Sequence, residues 1–155
     1  VFKPAPLEET TVESFEMHYR VNQLGLFLGC KSVIAALRAN GGGAIVNISS
    51  GAGLRGFPGI FAYTASKWAV TGMTKSAAAE LAADLIRVNS IHPGLVATPM
   101  LDDHSPEALE AFAAATPLKR VAQADEIAEL ALYLSSDSAA YITGATVAID
   151  GGIGL

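Results

Sequence analysis

Tyr63 and Lys67 stand four residues apart in Tyr63-Thr64-Ala65-Ser66-Lys67. On a helix that spacing brings a phenol and an ammonium to one face. A neighbouring ammonium favours the phenolate, which makes a tyrosine useful as an acid-base group. Alone, the pair reads as an ordinary surface contact. What precedes it changes the reading: a short apolar segment closes with Ile48-Ser49-Ser50-Gly51-Ala52-Gly53. A serine at the carboxyl end of a parallel strand lies on the edge where α/β sheets bind ligands. Its hydroxyl there could hydrogen-bond an alcohol or a carbonyl oxygen.

The elements that must position these groups are legible from periodicity and punctuation. Residues 1–9, with Pro4 and Pro6, read as a loop, and Thr10 followed by Glu13 has capping-box spacing, predicting a helix from near Thr11. Apolar residues recur with helical period from Val12 to Leu37, until Asn40 and Gly41-Gly42-Gly43 end the helix. Ala44–Ser49 is rich in β-branched residues and reads as a buried strand. A Gly- and Pro-containing loop leads to a second long helix over about 62–83, and Arg87–Ile91 is the next strand, stopped by Pro93-Gly94. Ser105-Pro106-Glu107 opens a short helix to about Ala115, Asp125 opens another to Leu134, and Thr146–Asp150 is the last strand. Strands separated by helices imply parallel pairing, so the fold class is α/β: a layered parallel sheet of about three strands with flanking helices, in one domain spanning 1–155.

Composition narrows the partners. The 155 residues are 51% hydrophobic and 16% charged, with net charge -5, a pI near 5.1 and a mean hydropathy of +0.39. No basic stripe suits nucleic acid, and no apolar run reaches membrane-spanning length. The apolar excess predicts deep burial or a subunit interface. No signal peptide is visible, and the one cysteine, Cys30, reads as a small buried hydrophobe in a reducing cytoplasm. His18, His92 and His104 have no metal-ligand spacing, and no metal site is expected; His92, just after a strand, reads as structural.

Taken together, Val21-Asn22-Gln23-Leu24-Gly25, Ile45–Ser50, Tyr63–Lys67, Arg87–Gly94, Thr98-Pro99-Met100 and Ile142-Thr143-Gly144 leading to Ile149–Gly152 resemble the classical branch of the short-chain dehydrogenase/reductases (SDR), in order and at that family's spacing. The resemblance implies a three-layer, Rossmann-like parallel sheet and an oxidoreductase that interconverts an alcohol and a carbonyl with NAD or NADP. Tyr63 takes the place of the general acid-base residue. Lys67 takes that of the residue that lowers the tyrosine's pKa and holds the nicotinamide ribose. The family's serine lies thirteen positions before the tyrosine, which selects Ser50 over Ser49 as the residue that orients the substrate oxygen. Asn22 resembles the helix residue that holds a water in the proton relay; as plain structure, it reads as a polar residue stabilising a helix irregularity. Pro93 and Gly94 resemble the loop flanking the nicotinamide, and Val96 and Thr98 the residues bonding its carboxamide. Leu95, Met100, Leu101 and Phe112, with Leu54, Phe57, Ile60 and Phe61, are candidates for an apolar wall around a small alcohol or ketone substrate. The family implies a homodimer or homotetramer.

The family's T-G-x-x-x-G-x-G phosphate loop and its N-N-A-G strand end have no counterpart here, and Val1 matches the residue expected just after the latter. Phosphate anchoring depends on backbone N–H groups at a helix N-terminus, so these residues alone are expected to hold the nicotinamide end only. The chain therefore reads as part of a longer protein. The alternative is a catalytically inactive fragment serving as an oligomerisation or interaction module, with an unpaired edge at the 44–49 strand.

Overall fold

The computed structural model describes residues 1–101 and 105–154, so the expectations for His104 fall outside the described residues. The first helix, α1 (Val12–His18), is capped by Thr11, whose hydroxyl accepts the Ser14 N–H at 3.2 Å. This corrects the expected Thr10 cap. The Thr10 hydroxyl instead donates to the Pro6 carbonyl at 2.8 Å, while Thr11 has the extended backbone that lets a cap side chain reach N3.

The stretch expected as one helix is continuous in path but not in kind. A π-helical segment, Tyr19–Leu24, separates α1 from α2 (Gly25–Ala39), and the Gly25 N–H reaches the Arg20 carbonyl. Such wide turns recur at functional sites, and Asn22 sits in this one. Asn40 caps α2 and Gly41 leaves it at φ 79°, a left-handed conformation that suits glycine. There follow β1 (Gly43–Ile48), a 3₁₀ turn (Gly51–Gly53), α3 (Phe61–Leu81), β2 (Ile86–Pro93), β3 (Val96–Ala97), α4 (Pro106–Ala115), β4 (Ala122–Gln123), α5 (Ala124–Ser135) and β5 (Thr146–Ile149).

The main sheet is parallel in the order β1-β2-β5, with Ile48 opposite Ile91 and His92 opposite Ala148. Among the described residues β1 has one strand neighbour, as the expectation of an unpaired edge required. The two-residue β3 and β4 pair with each other and were not anticipated; they are too short to show a period.

Alternation along the strands builds three layers. Ile86 and Val88 pack with Ala78 and Leu81 of α3, and with Ile34, Leu37 and Ile45, on one face. Ile91 packs with Leu134 of α5 and with Val46, Ile127 and Val147 on the other. Full burial of one such side chain is worth about 1.5–3 kcal/mol. On the α3 side the packing changes character along the strands. Apolar contacts at the amino ends give way to buried Asn47, Ser90 and His92 at the carboxyl ends, and Asn47 Nδ2 donates to Thr74 Oγ1 of α3 at 3.0 Å. The site lies beyond that polar end. No helix among the described residues is long and apolar enough to cross a membrane.

Candidate active site

Three elements converge at the carboxyl end of β1. Ser50 leaves the strand with extended backbone, and its hydroxyl accepts the Ala52 N–H at 3.1 Å, capping the 3₁₀ turn. That turn is pressed against α3. A Cβ on Gly53 would meet the Ser49 hydroxyl, and would lie 2.7 Å from the Lys67 carbonyl oxygen, so only glycine fits the approach. The Ser49 hydroxyl points away from the open edge and donates to the Lys67 carbonyl at 3.0 Å. Of the two adjacent serines, one locks the turn to the helix and the other faces Tyr63.

Tyr63 and Lys67 share a face of α3, with the Lys67 ammonium 5.6 Å from the Tyr63 ring centroid. Lys67 Nζ donates to the Ile48 carbonyl at 3.2 Å, so the ammonium rests on the end of β1. Burial pushes the Tyr63 phenol above its ordinary value, and the Ser50 hydroxyl pulls it back down by less. Burial likewise lowers Lys67. Both groups are shifted toward their neutral forms, and the Ser50 hydroxyl is a neighbour that favours the phenolate.

Asn22 is held by both ends of its amide. Its Oδ1 accepts from the Val1 nitrogen at 2.8 Å, and its Nδ2 donates to the Val1 carbonyl and to Ser66 Oγ, each at 3.0 Å. Ser66 in turn donates to the Tyr63 carbonyl at 2.7 Å. The side chain thus ties the π-helical segment to α3 and to the strap formed by residues 1–5. These bonds satisfy the structural reading of Asn22.

That strap is a part of the site the sequence did not disclose. Phe2 stands edge-on to the Tyr63 ring, 5.0 Å between centroids, and His18 lies at 6.4 Å from it. His18, which is buried, accepts the Lys3 N–H on Nε2 at 3.2 Å and bonds the Ser14 carbonyl through Nδ1 at 2.7 Å. Farther along, Phe61 N–H donates to the Ala5 carbonyl. No local pattern reports contacts between residues 2 and 63.

Pro93 ends β2, and the Gly94 N–H donates to the Ile149 carbonyl at 3.1 Å. A Cβ on Gly94 would lie 2.8 Å from Asp150 Cα, which explains the glycine by packing alone. Val96 opens β3, and the Thr98 hydroxyl donates to the Val96 carbonyl at 3.3 Å. Of the residues proposed as an apolar wall, Leu54, Phe61 and Met100 are exposed, Phe61 lies against Phe15, and the Phe57 ring carries the Arg55 guanidinium at 4.6 Å. Cys30 is half-buried beside Asn47, and burial pushes its thiol up, away from a reactive thiolate.

Residues 1–154 match the family model described as Enoyl-(Acyl carrier protein) reductase. The chain is 43% identical over 152 residues to trans-4-hydroxycyclohexanecarboxylate dehydrogenase of Sinomonas cyclohexanicum, an alignment covering 98% of this chain and 56% of that protein. It is 42% identical over 149 residues to cyclopentanol dehydrogenase of Comamonas sp., covering 95% of this chain and 60% of that one. The crystal structure of levodione reductase superposes with a TM-score of 0.94 at 37% identity, over 99% of this chain and 62% of that chain. The present chain thus spans between 56% and 62% of the length of these proteins.

Proposed function

Since the chain belongs to the short-chain dehydrogenase/reductase family, we propose that it carries the proton-transfer and substrate-side part of an NAD(P)-dependent oxidoreductase interconverting an alcohol and a ketone. The observation that supports this most directly is the meeting of Ser50, Tyr63 and Lys67 at the carboxyl end of β1. The bound nicotinamide would accept or return the hydride at the substrate carbon. In the oxidation direction the substrate hydroxyl gives its proton to the Tyr63 phenolate as the carbonyl forms; in reduction the Tyr63 phenol returns it to the carbonyl oxygen. Ser50 holds that oxygen, and Asn22 and Lys67 carry the proton route toward solvent.

The donor set suits the nicotinamide end of the cofactor. Lys67 carries three N–H donors and spends one on the Ile48 carbonyl, leaving others for ribose hydroxyls. Pro93, Gly94, Val96 and Thr98 stand at the same strand ends, where they would flank the ring. The two curated relatives are named for a hydroxycyclohexanecarboxylate and for cyclopentanol, which favours an alicyclic secondary alcohol as the substrate class.

The test is Tyr63→Phe. Turnover should fall by about 10²–10⁴-fold, the usual worth of a positioned acid-base group, with substrate binding retained. Full turnover in this variant would overturn the reading. A second reading, an interaction module without catalysis, draws on an open apolar groove of about 540 Å³ beside the free edge of β1, lined by Leu26, Val33, Leu37, Ile45 and Ile48. Saturable dinucleotide binding by the purified chain would count against it.

A further inference from the structure

Ser50 is the residue proposed to hold the substrate oxygen, and its hydroxyl can hold an orientation only if its backbone does. Its carbonyl oxygen accepts two hydrogen bonds. One comes from the Gly53 N–H at 2.8 Å and closes the 3₁₀ turn. The other comes from Nδ1 of His92, at 2.9 Å. His92 is 0% exposed, beneath the site on the α3-facing side of β2. Its other ring nitrogen, Nε2, lies 2.8 Å from the Ser90 hydroxyl.

These partners fix the proton on the ring. A carbonyl oxygen can only accept, so Nδ1 must carry a hydrogen. The single Ser90 hydroxyl hydrogen can go to Nε2 at 2.8 Å or to the Ala145 carbonyl at 3.4 Å; the shorter contact favours Nε2 and completes a neutral imidazole with both nitrogens satisfied. The opposite tautomer would set the Nδ1 lone pair against the carbonyl lone pairs at 2.9 Å. Burial holds the imidazole below its ordinary pKa, and the ammonium groups of Lys67 and Lys75 of α3 add smaller contributions in the same direction. The Ser50 carbonyl bond works the other way and is outweighed.

We infer that His92 is a positioning residue: its neutral imidazole clamps the Ser50 carbonyl against the 3₁₀ turn and so aims the Ser50 hydroxyl at the reacting oxygen. The consequence for catalysis rests on the function proposed above; the clamp itself does not. Loss of the clamp frees the peptide at Ser50 without removing any group that touches the substrate. It should therefore lower kcat more than it raises KM.

The experiment pairs a spectroscopic reading with a kinetic one. In the intact chain, ¹⁵N NMR should show His92 at about pH 7 as one neutral, Nδ1-protonated tautomer that titrates below the ordinary histidine range. An imidazole that titrates near its ordinary value, or that carries its proton on Nε2, would overturn the clamp without any variant being made. In His92→Leu the Ser50 carbonyl ¹³C resonance should move, and kcat should fall by about ten- to a hundredfold with KM within about twofold. His92→Asn, whose amide can still donate to that carbonyl, should recover most of kcat. An unmoved Ser50 resonance in His92→Leu, or equal kcat in the Leu and Asn variants, would also overturn it. A chain that turns over no alcohol or ketone in any form would sink the dehydrogenase reading, while the NMR answer would stand.

Discussion

At Tyr63 the opposing influences are burial, which favours the neutral phenol, and the Ser50 hydroxyl, which favours the phenolate; burial is the larger. In the reaction proposed above, reduction would use the phenol and oxidation the phenolate. A raised phenol therefore suits reduction at neutral pH, while oxidation should quicken as pH rises through the tyrosine's ionisation. Ser50→Ala removes a lowering influence, so the rising limb of kcat against pH for oxidation should move to higher pH, with a lower plateau. Profiles of the two proteins recorded in the oxidation direction check this; a limb that stays in place would mean that Ser50 does not act on the phenol. The residues behind this argument were legible because their relations are local or tied to a strand end. Tyr63 and Lys67 are one helical turn apart, and Ser50 closes an apolar run. Phe2 and His18, which pack on Tyr63, gave no such signal, because their contacts exist only once the strap has crossed α3. His92 was read as structural, and its partner, the Ser50 carbonyl, lies 42 residues away in the chain, beyond the reach of any local pattern.

At the scale of elements, α5 shows how a helix start is secured without a short-side-chain cap. The Glu126 carboxylate accepts the Gln123 N–H at 2.8 Å and pairs with both terminal nitrogens of Arg120 at 2.7 Å. These bonds, Arg120 first, hold the Glu126 carboxyl down at about 2. A carboxyl depressed on folding stabilises the fold above its unfolded pKa, and that contribution is lost as pH falls toward the folded value. Urea midpoints for the protein and for Glu126→Gln should therefore differ at pH 7 and converge as pH drops from the ordinary carboxylate range toward about 2. A gap independent of pH would mean that the charge contributes nothing. Element order and type followed from apolar period and from Gly and Pro punctuation, since those patterns express one-sided burial. The π-helical segment at Tyr19–Leu24 was foreshadowed only by Asn22, the polar residue read as stabilising a helix irregularity. Its cause is tertiary: Asn22 there is bonded to Val1 and Ser66, both distant in sequence.

For the whole molecule, the position of the site relative to the sheet decides what the chain can grip. Every group assigned to the cofactor stands at the carboxyl ends of β1 and β2 or in the segment just after β2, where the nicotinamide end would lie. Phosphate gripping uses the backbone N–H groups of a glycine-rich turn opening a helix. The 155 residues contain no T-G-x-x-x-G-x-G turn, and Gly51 and Gly53 belong instead to the 3₁₀ turn that follows Ser50 and packs on α3. The adenosine half of a dinucleotide therefore has no assigned partner in this chain. Nicotinamide mononucleotide and NAD should bind it with affinities within about threefold of each other, where a well-formed second half-site would separate them by 1.4 kcal/mol for each factor of ten. Isothermal titration of both ligands against the purified chain measures the difference. If NAD binds ten times tighter or better, a grip on the adenosine half exists outside the strand ends, and the apolar groove along β1 becomes the place to look for it. If the two are equal, the chain's grip on the cofactor is confined to the nicotinamide end, and further affinity for the dinucleotide would have to come from residues outside these 155.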